Sequence, residues 1–83
     1  MKKTDLLFII SHMTNKLTER QKEVLNAIKF YARDNGGRTP TYAEITEMMG
    51  FRSENSAVDH VKALIKKNKI RITPKISRGI EIL

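Results

Sequence analysis

From Arg52 to Asp59 the chain sets out compact polar side chains at short intervals: Ser53, Asn55 and Ser56, with Val58 and Asp59 following within a turn. Hydroxyls, a carboxamide and a carboxylate at this spacing make and break no bonds by themselves. They suit the recognition of a surface that presents its own donors and acceptors. A carboxamide pairs in bidentate fashion with adenine, a carboxylate accepts from cytosine N4, and an apolar side chain such as Val58 meets a thymine methyl. Ser53, Asn55, Ser56, Val58 and Asp59 are therefore the candidates for base contacts in double-stranded DNA. The plainer alternative is a capped, solvated helix start, in which Ser53 is only a cap and Asn55 and Asp59 face water.

Bond-making chemistry finds no support elsewhere in the chain. It has no cysteine, which excludes a disulfide framework, a thiolate metal site and a thiol nucleophile. His12 and His60 stand alone without ligand spacing for zinc, and His60 is expected to contact backbone or phosphate. No phosphate-cradling glycine loop, catalytic triad or paired carboxylates can be placed. The expectation is a non-enzyme without cofactor, metal or small-molecule substrate.

The charge is unevenly distributed. Of 16 Lys and Arg, seven lie from His60 onward, where only one of the nine Asp and Glu stands, so nearly all of the net +7 belongs to the last third. Lys62, Lys66, Lys67, Lys69, Arg71, Lys75 and Arg78 form this strip. Clustered cations attract polyanions, of which nucleic acid is the commonest. The phosphate-contacting candidates are Thr41, Arg52, Lys62, Lys66, Lys69, Arg71, Lys75 and Arg78. Such contacts position a protein on DNA without reading its sequence.

The elements that must hold these residues follow from local signals. Eighty-three residues make one small domain with a thin core. Thr18-Glu19-Arg20-Gln21 has the form of a capping box, after which Val24, Leu25, Ile28, Tyr31 and Ala32 share one helical face until Asn35-Gly36-Gly37 supplies left-handed residues. Phe30 falls off that face, so it is expected to be partly exposed or to touch another element. Thr41-Tyr42-Ala43-Glu44 is a second box, opening a short helix through Met49 with Ala43, Ile45, Met48 and Met49 available for burial, and Gly50 ends it. Ser53 is expected to cap a third helix by accepting amides near Asn55 and Ser56. In that helix Ala57, Val61, Leu64 and Ile65 face inward, and Asn55, Asp59, Lys62 and Lys66 face outward, with Val58 between. Asn68 is expected as a left-handed cap. Ile70 and Ile72, then Ile80 and Ile82, alternate with polar residues around a turn at Pro74–Ser77. Three helices and a hairpin, with a glycine turn joining the second and third helices, describe a mainly α winged helix-turn-helix over residues 13–83.

The first twelve residues stand apart. Met1-Lys2-Lys3 precedes a short apolar run, but Asp5 interrupts it and LLFII is too short for a secretory core or a membrane span. A cytoplasmic, nucleoid-associated protein is expected. Ser11-His12-Met13 resembles a fusion junction before a second initiator methionine, so residues 1–12 are expected to be a leader.

The stretches LTERQKEVLNAI, TPTYAEI, GFRSENSAVDHVKAL and SRGIEIL resemble, in register from Leu17 to Leu83, the N-terminal DNA-binding domain of the LexA repressor family. The resemblance implies a bacterial or phage repressor of DNA-damage-response (SOS) genes that binds a palindromic operator as a homodimer. It places Ser53, Asn55, Ser56, Val58 and Asp59 among the recognition contacts, with Arg52 beside them and the hairpin near the DNA backbone. Several family members carry alanine where Ser56 stands and glutamate where Val58 and Asp59 stand, so the family's operator is not carried over. LexA proteins continue into a self-cleaving peptidase domain with a serine-lysine dyad, which this sequence does not contain, and autocleavage is not expected of it. A second reading, from another class, is an interaction module that docks on a repressor, a polymerase subunit or a phage factor through Val58, Phe30 or LLFII.

Overall fold

The computed structural model describes residues 16–76 and 78–83, so the expected leader at 1–12 lies outside the described residues. Helix α1 (Glu19–Asp34) starts at a closed capping box: the Thr18 hydroxyl accepts from the Gln21 amide at 3.1 Å, and the Thr18 amide donates to the Gln21 side chain at 3.0 Å. It buries Val24, Leu25, Ile28 and Ala32, with Tyr31 half-buried at the edge of that face. Phe30, expected off the face, is 57% exposed. Of the three residues expected to be left-handed at its end, only Gly36 and Gly37 are; Asn35 has φ −121° and donates its side-chain amide to the Tyr31 carbonyl instead.

Helix α2 (Tyr42–Met49) also opens on a closed box, Thr41 with Glu44, and ends at Gly50, whose φ of 67° suits a residue without a β-carbon. Of the four residues expected to be available for burial here, only Ile45 is fully buried; Met49 is partly so, while Ala43 and Met48 are exposed. The helix is two turns long, so one position alone points at the centre. Ala43, two residues before Ile45, lies about 200° away around the axis.

Helix α3 (Glu54–Lys66) buries Ala57, Val61 and Leu64 and leaves Ile65 half-buried. Asn68 takes the expected left-handed turn, φ 59°, and the Lys69 amide returns to the Leu64 carbonyl at 3.0 Å. Strands β1 (Ile70–Ile72) and β2 (Ile80–Ile82) pair antiparallel, Ile70 with Ile82 and Ile72 with Ile80. The hairpin closes where the Thr73 amide meets the Gly79 carbonyl at 2.9 Å. A β-carbon on Gly79 would stand 2.4 Å from the Thr73 carbonyl oxygen, so only glycine lets the two strands approach there.

The core joins every element: Val24, Leu25 and Ile28 of α1, Ile45 of α2, the inner face of α3, and Ile70 and Ile80 of the hairpin. Burying an aliphatic side chain of this size contributes about 1.5–3 kcal/mol, a large share of the stability of a small domain. With α2 and α3 packed on α1 and the hairpin appended to α3, the chain is a winged helix-turn-helix.

Candidate nucleic-acid interface

The start of α3 differs from the other two helix starts. Ser53 has the extended backbone of a cap, φ −149° and ψ 159°, but its hydroxyl makes no capping bond. The expected side-chain cap is thus corrected: only the Ser53 carbonyl engages, accepting from the Ser56 amide at 3.3 Å. The two closed boxes each have Gln or Glu at the third helical position reaching back, whereas α3 has Ser56 there, which is too short to do so. Arg52, Ser53, Asn55 and Asp59 are exposed, and Ser56 and Val58 are half-buried. Open amides, a free hydroxyl and an outward carboxamide therefore share one tip, which leaves donors and acceptors at this helix start free of side-chain caps.

This tip is held from behind by a stack that the sequence analysis did not identify. Phe51, in the turn between α2 and α3, lies against the His60 ring at 4.9 Å and 20° between planes, and the Arg20 guanidinium covers it at 5.0 Å. Arg20 also donates to the Met49 carbonyl at 3.1 Å, tying α1 to the end of α2. His60 Nδ1 lies 2.7 Å from the Ser56 carbonyl oxygen, which can only accept, so Nδ1 carries the proton. The local signal was the aromatic directly after Gly50; its partners, 31 residues before it and nine after it, leave no mark in local spacing.

The basic strip divides into two groups. Among the described residues, Arg52, Lys62, Lys66, Lys69 and Lys75 have side chains with no hydrogen bond or ion pair. Lys75 sits in the hairpin turn with φ 66°, a conformation that glycine or asparagine adopts more readily. The other cations are engaged. Lys67 donates to the Lys16 carbonyl and to the Gln21 side chain at 2.7 and 2.8 Å. Arg71 pairs across the strands with Glu81 at 2.8 Å, which raises the arginine pKa and lowers that of the carboxyl. Such an exposed pair is weak in water, and a phosphate can compete for it.

Arg78 and Thr41 have more partners. Arg78 grips both carboxylate oxygens of Glu44, at 2.7 and 3.1 Å, and donates to the Thr39 carbonyl and the Tyr31 hydroxyl, each at 3.1 Å. The Thr41 hydroxyl accepts from the Glu44 amide and donates to its carboxylate. Arg78 foremost, then the Thr41 amide and the Tyr31 hydroxyl, hold the Glu44 carboxyl down at about 2. Both residues expected at phosphates thus make bonds inside the protein, Arg78 through Nη1 and Nη2 with its side chain still 38% exposed.

Residues 14–79 match the family described as LexA DNA binding domain. The chain is 48% identical over 71 residues to the LexA repressor of Alcanivorax borkumensis, covering 86% of this chain and 34% of that protein. It is 51% identical over 67 residues to the LexA repressor of Saccharophagus degradans, 81% of this chain and 33% of that one. To LexA repressor 1 of Pseudomonas syringae pv. tomato it is 52% identical over 67 residues, with the same coverage of 81% and 33%. It thus spans about a third of the length of these curated relatives, the third that carries the helix-turn-helix. With its three helices and wing, and a family match over residues 14–79, the chain belongs to the LexA DNA-binding domain family.

Proposed function

We propose that the chain is the operator-reading domain of a LexA-like repressor, binding double-stranded DNA sequence-specifically. The start of α3 enters the major groove while α2 crosses the backbone and fixes its pose. Asn55 pairs with an adenine edge, Asp59 accepts from a cytosine, Ser53 and Ser56 supply adaptable hydroxyl contacts, and Val58 meets a thymine methyl. Arg52, Lys62, Lys66, Lys69 and Lys75 neutralise phosphates, and Arg71 joins them by exchanging Glu81 for a phosphate.

The single observation that carries this reading is the uncapped α3 start, with Ser53 and Asn55 exposed beside side-chain cations that have no partner among the described residues. One winged domain buries little DNA surface, so useful affinity requires two copies on a palindromic site. The regulated genes are those of the DNA-damage response, as the resemblance to LexA repressors implies, and the working compartment is the cytoplasm at the nucleoid.

Selection of binding sites from a random duplex pool tests the reading. Enrichment of a two-fold symmetric motif with half-sites separated by whole helical turns is expected. Recovery of no motif, with all duplexes bound alike, would leave only non-specific attraction.

A further inference from the structure

We propose that Arg78 is a positioning residue: clamped by Glu44, Tyr31 and Thr39, it fixes the wing to the start of α2, so that the wing and α3 approach a ligand as one rigid unit. The charge pattern alone counts Arg78 with the phosphate-contacting strip, and the geometry assigns it otherwise. Four acceptors from three separate segments converge on this one guanidinium: both oxygens of Glu44 on α2, the Thr39 carbonyl in the connector and the Tyr31 hydroxyl on α1. The Tyr31 hydroxyl donates in turn to Glu44 at 2.7 Å, closing the ring of bonds. Thr39, only 6% exposed, adds a second tie to the same strand, its hydroxyl donating to the Ile80 carbonyl at 2.6 Å. A fork gripped bidentately fixes direction as well as distance, which a lysine on a flexible stem does not. The hairpin contributes only six residues to its two strands, so these ties set its angle. They thereby set where Lys75, at the turn, is presented.

The wing's attachment is independent of DNA, whereas its consequence rests on the DNA-binding reading above; the test keeps the two separate. Glu44→Gln preserves the capping box, because glutamine also reaches back to the Thr41 amide, but it removes the ion pair. Amide hydrogen exchange on the full chain is expected to quicken at Thr73 and Leu83, whose amides donate across the hairpin, with the Val24–Ile28 and Val61–Leu64 amides unchanged. Unaltered exchange in the wing would overturn the clamp, whatever the chain binds.

In the second arm, affinity is measured for a duplex recovered from the random pool. Glu44→Gln removes a negative charge, so a purely electrostatic role predicts tighter binding. The clamp predicts binding about fivefold weaker, the scale of a partly screened ion pair. Arg78→Lys, which keeps the charge and loses the fork, is expected to weaken binding as much as Arg78→Gln. Tighter binding by Glu44→Gln, or full affinity in Arg78→Lys, would show that Arg78 acts as a phosphate contact and sink the proposal. If the wild-type chain binds no duplex, the functional reading fails and the exchange arm alone decides the clamp.

Discussion

The starts of α2 and α3 lie close together in sequence and have similar local composition, but they are built for opposite purposes. At Thr41 the box is closed: the Thr41 amide and hydroxyl both donate to the Glu44 carboxylate, the hydroxyl accepts from the Glu44 amide, and Arg78 adds an ion pair. At Ser53 the hydroxyl is uncommitted and the first turn has no side-chain cap. A closed start stabilises a helix, and an open one can bind something else. The difference teaches that in this domain α2 is closed into the frame, whereas the start of α3 is left open, as the proposed reading head requires.

The sharpest way to break the comparison is to remove the frame. Ile45 is the one fully buried residue of α2, at 0% exposure, so Ile45→Ala is expected to cost about 2–5 kcal/mol in urea unfolding. That loss would leave a domain of this size marginal at 25 °C and would abolish binding indirectly. A cost below about 1 kcal/mol would mean that α2 is not seated as described.

Next come the caps themselves. Thr41→Ala is expected to lower stability by about 1 kcal/mol, the usual value of a side-chain cap. Ser53→Ala, which removes no capping bond, should leave stability within about 0.5 kcal/mol while weakening binding to a selected duplex. Equal losses of stability in the two variants, read by thermal melting, would erase the distinction between them.

The smallest expected effect is a dependence on acid. The folded-state pKa of Glu44 is depressed to about 2 from an ordinary 4.5, so its stabilising contribution is complete above the higher value. It is lost as pH falls through that window. Glu81, lowered by Arg71, acts in the same direction, so the comparison is between wild type and Glu44→Gln. The wild type should lose more stability than Glu44→Gln between about pH 5 and pH 2, as followed by melting temperature. Parallel curves would mean that the pair does not persist in solution.

What could be read from the sequence was local. The two closed boxes, the glycine at the end of α2, the left-handed Asn68 and the alternating wing strands are all set within a few residues, and the structure has them. The outward face of α3 followed from helical period alone. Ser53 was misread as a side-chain cap because the first half of the motif is present; the missing half, a long acceptor at residue 56, was also legible and outweighs it. Met48 and Ala43 were misplaced because two turns of helix offer too little length for a face to declare itself. The Arg78–Glu44 clamp joins residues 34 apart and the Lys67–Gln21 bond residues 46 apart. Such pairings depend on how the elements dock, so a count of charges does not reveal them.

The central claim is that the open tip reads base pairs while the unpaired cations hold phosphates. It is tested most directly by titrating wild type, Asn55→Ala and Lys66→Ala against a selected duplex and its single-base-pair variants over a range of salt. Asn55→Ala should cost about 1–3 kcal/mol and lose discrimination at one base pair, with its salt slope kept. Lys66→Ala should weaken every duplex alike and reduce the slope by roughly one unit. If Asn55→Ala instead behaves like Lys66→Ala, uniform across sequences and altered in salt slope, the tip does not read DNA and the account is wrong.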